Sequence, residues 1–280
     1  NDGSTDESEK VWKSYCDKFE EKGIKYHYIY QDNQGLGAAI NAGLKCFSGD
    51  YLCWSDVDDY LEITSIEKRV EFLETHREFG CVSSDANIYK EDDLKNPIGT
   101  AGSWMKHKFD ENQFFWMLTG QSLFCSGCHM LRTKCFLDVN PHRYIYPARR
   151  GQNNQLLLPI YYKYKRGYID EPLYNYIIYK KSMSTQDETI ELEMDRANEY
   201  TKILKWSIQQ IDLTRKEKQY CNQIINMNRW KNFSNIYIKC KKPFNYIWLY
   251  IRLKIFLTSE WKTIVNVVKC ISFTKSDKKE

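Results

Sequence analysis

One stretch constrains this chain more than any other. The apolar run Tyr51-Leu52-Cys53-Trp54, entered through Gly49-Asp50, stops abruptly at three carboxylates, Asp56, Asp58 and Asp59. A short aromatic-rich run bounded by turn residues predicts a buried strand. Carboxylates this close repel one another, and each is costly to desolvate. Such a cluster makes sense beside a positive charge. Hard divalent ions such as Mg²⁺ or Mn²⁺ prefer oxygen ligands and often take only one or two from protein while phosphates supply the rest. In open α/β sheets ligands bind at the carboxyl ends of strands, where these acids fall. The alternative is an acidic loop that caps the next helix.

The surrounding pattern predicts an α/β fold. Asn1-Asp2-Gly3-Ser4-Thr5-Asp6 reads as a turn and helix cap with no strand before it, so a first strand is expected to be missing. Glu7 to Lys22 then carries Val11, Tyr15 and Phe19 four apart, a helix that Gly23 ends. Ile24 to Tyr30 reads as a strand, and Leu36 to Phe47 as a helix packing through Ala38, Ala39 and Ala42. Thr64 with Glu67 spells a capping box for a helix with Ile66, Val70 and Leu73. Cys81 to Ser84 reads as a strand. Alternation of this kind argues for a mostly parallel central sheet flanked by helices.

Beyond Ser84 the order loosens. Asp85 to Lys108 reads as loop, Phe114 to Leu118 as a short apolar element, Leu123 to Arg132 as a strand pair, and Thr133 to Asp138 as a helical turn. Gly151 to Arg166 is helical with Pro159 inside it, Tyr168 to Tyr179 is strand-like, and Ile190 to Asn226 is one or two helices. The expected division is a catalytic domain over 1–185 and a helical, basic-aromatic extension over 186–280.

Net charge is only +4, so charge alone does not suggest nucleic acid. The ten Cys are scattered along a chain too long to need disulfide staples, and read as reduced thiols. No apolar leader is visible. From Lys239 to Phe273 aromatic residues mix with Lys and Arg. The apolar run Tyr246 to Ile251 is stopped by Arg252 and Lys254, far short of the roughly 20 residues a membrane span needs. A cationic helix in a bilayer interface fits this stretch, as does a helix docked on the catalytic domain. The expected location is cytoplasmic, peripheral at the inner membrane face.

Taken together, Asn1 to Asp6, then Asn33-Gln34-Gly35-Leu36-Gly37-Ala38-Ala39-Ile40-Asn41-Ala42-Gly43, then Gly49-Asp50-Tyr51 running into Ser55-Asp56-Val57-Asp58-Asp59, resemble the family 2 glycosyltransferases, inverting enzymes of the GT-A fold. The resemblance covers about residues 1–180. It implies that Asp2 pairs with the base of a nucleotide-sugar donor, and that Gly35 and Asn41 line the nucleotide pocket. Asp56 and Asp58 match the two acids of the DxD motif. Asp56 would reach the ribose or donor sugar, and Asp58 would bind the Mn²⁺ or Mg²⁺ that bridges the diphosphate. Asp59 follows so closely that its role is not separable from that of Asp58. A plain helix cap for Asp2, and turn and helix packing for Gly35 and Asn41, are the structural alternatives.

The pattern breaks at the catalytic base. The helix that should open with Asp or Glu opens Arg149-Arg150-Gly151-Gln152-Asn153-Asn154-Gln155. An amide cannot take a proton at neutral pH. Asp138, Asp170 or Glu171 is then the candidate base, or the alignment is offset, or the acceptor needs no strong base. Gln152 is kept as an acceptor-site residue. Arg149 and Arg150 would stabilise the leaving diphosphate, with Lys180 and Lys181 as weaker candidates. Phe124 to Arg132 also spells Cys-x-x-Cys-His, the c-type haem pattern, without the leader or second axial region that haem requires.

The expected activity is transfer of a sugar from a nucleotide-diphosphate donor to a hydroxyl of a glycan or glycolipid, in surface polysaccharide or lipopolysaccharide synthesis. The rival is a non-catalytic binding or scaffold protein on a degenerate transferase fold. A nucleotidyltransferase shares the sheet and acids but would release pyrophosphate.

Overall fold

The molecule is built on a parallel ladder between β3 (Phe79–Lys90) and β6 (Lys165–Ile178). In this computed structural model residues 1–180, 182 and 189–239 are described, without the side chain of Lys239. Lys181 and the basic-aromatic stretch beyond Lys239 therefore lie outside the described residues.

Around the ladder the sheet runs β1-β5-β3-β6-β2, where β1 is Tyr51–Cys53, β2 Tyr60–Leu61 and β5 His129–Arg132, and β4 (Gly99–Thr100) pairs with β3. The expected α/β class stands. The sheet is mixed: its parallel pairing is concentrated in β3–β6, and the shorter β1–β5, β3–β5, β2–β6 and β3–β4 pairs are antiparallel. Parallel strands need a long crossover. The chain between β3 and β6 supplies one, carrying α5 (Phe114–Leu118), α6 (Thr133–Val139) and α7 (Gln152–Lys163). β3 is buried from Phe79 through Ala86, as a central strand covered on both faces must be.

Several local expectations change. The first helix is two, α1 (Ser8–Lys13) and α2 (Cys16–Glu21). Ser14 interrupts them, its hydroxyl turned back on the Val11 carbonyl at 2.6 Å. Residues 24–30 form no ladder among the described residues, and the pairing nearby is one isolated parallel bridge, Asp2–Gln31. Trp12 packs on Tyr26 and Tyr28 with centroids 5.4 and 4.5 Å apart, holding the segment to α1 instead.

α3 (Leu36–Cys46) forms as expected. Thr64 precedes α4 (Ser65–Thr75) but its side chain caps nothing, so the capping box is not made. β3 continues to Lys90 into the region read as loop, and Leu123–Arg132 is a 3-10 turn, Ser126–Cys128, feeding β5 rather than a strand pair.

The largest apolar cluster joins Phe114, Leu118, Phe136, Leu157, Leu158 and Ile160 of the crossover helices to Ile208, Cys221 and Ile224. The last three come from α8 (Ile190–Gln209) and α9 (Arg215–Lys239), which thus bury their apolar faces in the same core. No helix among the described residues is long and apolar enough to cross a membrane.

Candidate active site

Strand pairing brings the three acids to one place. β1 runs antiparallel to β5 with Cys53 opposite Met130, so the residues leaving β1 lie beside those entering β5. The Ser126 hydroxyl accordingly donates to Asp56 Oδ2 at 2.7 Å. On the other side β2 pairs with β6, and two β6 residues hold Asp59. The Tyr174 hydroxyl donates to Oδ2 at 2.7 Å and the Ile177 N–H to Oδ1 at 2.8 Å. Between these tethered neighbours, Asp58 is exposed. Its backbone carbonyl accepts from the Tyr179 hydroxyl at 3.1 Å, while its carboxylate has no hydrogen-bond partner among the described residues. Asp58 and Asp59 thus differ in placement: the Asp58 carboxylate is unbonded among the described residues, and that of Asp59 fastens the loop to β6.

The electrostatics follow from crowding. Burial raises the Asp56 carboxyl above its ordinary range against the Ser126 bond, and the charge of Asp58 adds to it. Burial pushes Asp59 up to about 6, although the Ile177 and Tyr174 bonds oppose it, and the charges of Asp58 and Asp56 contribute further. A cation here would relieve this pooled negative charge. No group of three or more His, Cys, Asp or Glu able to hold a metal occurs among the described residues. The exposed Asp58 carboxylate offers hard oxygens of the kind that an ion completing its shell from a phosphate-bearing ligand would use.

The floor of the site is braced by a buried arginine. Arg69 of α4 donates through Nη1 to the Gly127 carbonyl at 2.7 Å and through Nε to Ser65 at 3.1 Å. This pins the 3-10 turn that carries Ser126. A Cβ on Gly127 would stand 2.0 Å from Tyr174 Cε2, so the turn lies directly on the ring whose hydroxyl holds Asp59. His129 is fully buried, stacks on Trp54 and shares a 2.8 Å hydrogen bond with Ser83. Burial, with Arg166 and Arg69 nearby, pushes its pKa down to about 3. Cys125, Cys128 and His129 are core residues, and the haem pattern is a coincidence of packing.

The turn that leads into α3 is assembled by Asp2. Its carboxylate accepts from Gln31 Nε2 at 2.7 Å, the Gln34 N–H at 2.9 Å and the Gly35 N–H at 2.8 Å. Burial alone would raise its pKa, but these bonds together hold it below the usual carboxylate range. Gly35 sits at φ 88, ψ 163 as the N-cap of α3, a conformation that favours glycine. Asn41 points elsewhere. Both of its amide atoms are spent on Ile145, donating to the carbonyl and accepting from the N–H at 2.8 Å each. The packing reading therefore describes it.

The segment 145–153 meets both the Asp2 turn and Trp54. Gly37 N–H donates to the Ala148 carbonyl at 3.1 Å, and the place of a Cβ on Gly35 is 3.9 Å from the Cα of Arg149. Five residues on from Ala148, the Asn153 side chain accepts from Trp54 Nε1 at 2.7 Å. The 145–153 segment thus passes Gly35 at Arg149 and reaches Trp54, which precedes the acids, through Asn153. Arg149 is exposed along this seam. Arg150 is half-buried, close enough to Tyr200 of α8 for its charge to act on that phenol. Gln152 is buried, donating to Ala148 at 3.3 Å, and Gln155 clamps the backbone of Tyr146.

The other candidate bases are ion-paired. Asp170 meets Lys108 at 2.6 Å, Glu171 meets Lys68, and Asp138 meets Lys163. Lys180 is turned to Asp92 at 3.4 Å. Sequence reasoning missed Ser126, Tyr174, Asn153 and Arg69. Ser126 and Asn153 stood inside stretches already singled out, one in the Cys-x-x-Cys-His segment and the other at the opening of the helix expected to carry the base.

Comparison with known proteins agrees with this geometry. The glycosyl transferase family 2 profile matches residues 1–139. The chain belongs to the family 2 glycosyltransferases. EpsE of Bacillus subtilis, described as a glycosyltransferase, is 27% identical over 175 residues, 62% of this chain and 59% of EpsE. The chain thus spans about three-fifths of that relative. Glycosyltransferase GlyA of Streptococcus pneumoniae is 43% identical over 67 residues, 24% of this chain and 9% of that protein. Among solved structures, S. aureus TarS 1–349 in complex with UDP-GlcNAc aligns with a TM-score of 0.59 at 12% identity, covering 97% of this chain and 77% of TarS. That likeness establishes the GT-A architecture of the family for this chain.

Proposed function

We infer that the chain transfers a sugar from a nucleotide-diphosphate donor to a hydroxyl of a glycan or glycolipid acceptor, with inversion, in synthesis of a surface polysaccharide or lipopolysaccharide. One observation carries this reading. Of three acids at the end of β1, two are tethered and the middle one, Asp58, presents a carboxylate without a partner among the described residues. Family membership supports it, and so do a structural relative crystallised with UDP-GlcNAc and a sequence relative described as a glycosyltransferase.

In this reading Asp58, with Asp56 beside it, would hold Mn²⁺ or Mg²⁺. A bound ion supplies positive charge to the diphosphate as it leaves. The donor's base lies at the Asp2-braced turn and Gly35, and the seam from Ala148 to Asn153 runs beside the sugar diphosphate. Arg149, exposed there, offers a second cation to the leaving group. Gln152 acts from beneath, keeping α7 in register with Ala148. Attachment to a membrane surface through the basic-aromatic stretch rests on sequence alone.

One feature favours a second reading, a binding protein on this fold. The opening turn of α7 carries amides engaged with backbone or Trp54, and the three other candidate bases are ion-paired. Incubation with nucleotide sugars and Mn²⁺ separates the two. Release of nucleoside diphosphate, lost in Asp58→Ala, supports the transferase. Donor binding without release supports the binding protein, and pyrophosphate release would indicate nucleotidyl transfer.

A further inference from the structure

Phe124 stands out on the segment that leads to Ser126. Its neighbours Leu123 and Cys125 are 2% and 1% exposed, whereas Phe124 is 49% exposed. A lone exposed apolar side chain is ordinary, but this one is held in place. Its ring meets that of Tyr176 edge-on, with centroids 5.4 Å apart and planes at 89°. Its carbonyl accepts from Asn153 Nδ2 at 2.8 Å, and the same Asn153 accepts from Trp54 at the end of β1. An outward-facing aromatic ring is thus fixed from behind and from below.

Its position relative to the acids follows from shared partners. Ser126, two residues on, holds Asp56. Tyr176 lies on β6 between Tyr174 and Ile177, the two residues that hold Asp59. Burial, with the charges of Cys125, Asp59, Asp56 and Asp58, raises the Tyr176 phenol to about 12, so its hydroxyl lies within the field of all three acids. Val57, between the acids, is fully exposed. The acid loop is therefore bordered by an apolar, aromatic wall open to solvent.

We propose that Phe124, backed by Tyr176, is the platform on which the acceptor's sugar ring rests. A pyranose has an apolar face of C–H groups and a polar edge of hydroxyls. A flat aromatic surface takes the apolar face and leaves the hydroxyls free to turn toward Asp56 and Asp58. The acceptor is the sugar meant, because the donor's base end belongs to Asp2 and Gly35, across the 145–153 segment from Phe124, and the donor's diphosphate belongs to Asp58. The Phe124 ring is half exposed and, among the described residues, none of the contacts of Phe124 is to Asp2, Gly35 or Asp58. The assignment rests on the transferase reading for its name of acceptor, but the platform is testable without turnover.

Saturation-transfer NMR on the full chain, with methyl glycosides of glucose, galactose, mannose, rhamnose and N-acetylglucosamine as probes, supplies the test. At least one glycoside is expected to receive saturation on its ring C–H protons. Phe124→Ala weakens it by roughly tenfold, the order of a lost aromatic contact, and Phe124→Trp restores it. UDP and GDP, each titrated with Mn²⁺, bind wild type and Phe124→Ala equally. Absence of binding by every glycoside, or binding unchanged in Phe124→Ala with its melting temperature intact, overturns the proposal. So does an equal loss of nucleotide affinity, which would put the ring in the donor site. If glycosides bind through Phe124 and no nucleotide sugar is cleaved, the platform stands and the transferase reading falls.

Discussion

The Tyr174 hydroxyl donates to Asp59 Oδ2 at 2.7 Å, tying the acid loop to the central part of β6. This contact and the Ile177 N–H keep a crowded carboxylate in place although burial and two neighbouring acids lift its pKa to about 6. A carboxyl whose folded pKa lies above its unfolded value binds protons more readily when folded. Its contribution to stability is therefore full below the unfolded value of 3.8 and is lost as pH rises through about 6. Asp59→Asn carries no such charge. The melting temperature of the variant relative to wild type should rise between pH 4 and pH 7 in metal-free buffer. A difference that stays flat over that window would show that Asp59 is not raised.

Gly127 is the point where the 3-10 turn meets Tyr174. An added Cβ would lie 2.0 to 2.5 Å from three atoms of the ring, which cannot yield without releasing Asp59. Gly127→Ala should cost about 1–3 kcal/mol, the usual range for overpacking, and should weaken Mn²⁺-dependent donor binding together with stability. Ala at Gly43, where nothing lies within 4 Å, is the control and should do neither. Equal melting temperatures for the two variants would contradict the close approach.

Local residues announced the acid loop but not what holds it. The run Tyr51 to Trp54 followed by Asp56, Asp58 and Asp59 is contiguous, so sequence displays it whole. Ser126 and Tyr174 meet it only because β5 and β6 flank β1 and β2, while Arg69 reaches the Ser126 turn from α4, and contacts across tens of residues leave no local trace. Asn41 misled for the complementary reason. A polar residue inside a nucleotide-binding pattern reads as a ligand contact, whereas its amide closes on Ile145, 104 residues away. The 24–30 segment reads as a strand by its alternating aromatic pattern, but a strand needs a ladder partner, and here the aromatic side chains pack on Trp12 of α1.

Asn41 and Gln155 grip consecutive residues. Asn41 exchanges two hydrogen bonds with the backbone of Ile145, and Gln155 exchanges two with that of Tyr146. The segment preceding Arg149 is thus clipped to α3 and α7 as though to two strands. Asn41→Ala leaves the buried N–H and carbonyl of Ile145 without their side-chain partner, a loss of about 1–3 kcal/mol, whereas Gln155→Ala frees the half-buried Tyr146 N–H while the Tyr146 carbonyl keeps the Ala148 N–H at 2.7 Å, so its loss is smaller. Because the two amides serve one segment, the double variant should lose less than the sum, measured by urea denaturation. Strict additivity would mean that the segment is held elsewhere.

Thiol reactivity offers an independent check on the core around the site. Cys125 and Cys128 are almost wholly buried, and a hydrogen bond to Cys128, with burial, raises the Cys125 thiol well above its ordinary value. Burial raises Cys221 to about 12 in the same way. Thiolate is the reactive form, so Cys125 and Cys221 should resist iodoacetamide in the native protein at pH 8, as should Cys128 by its burial, while exposed Cys46 alkylates ahead of them. Peptide mapping after timed alkylation reads this directly. Substituting Arg69 by Met should expose the pair, because the turn between them loses the donor to the Gly127 carbonyl. Labelling of Cys125 should then rise toward that of Cys46 in step with loss of Mn²⁺-dependent donor binding. Labelling that rises while donor binding is kept would separate the turn from the acids it is argued to position.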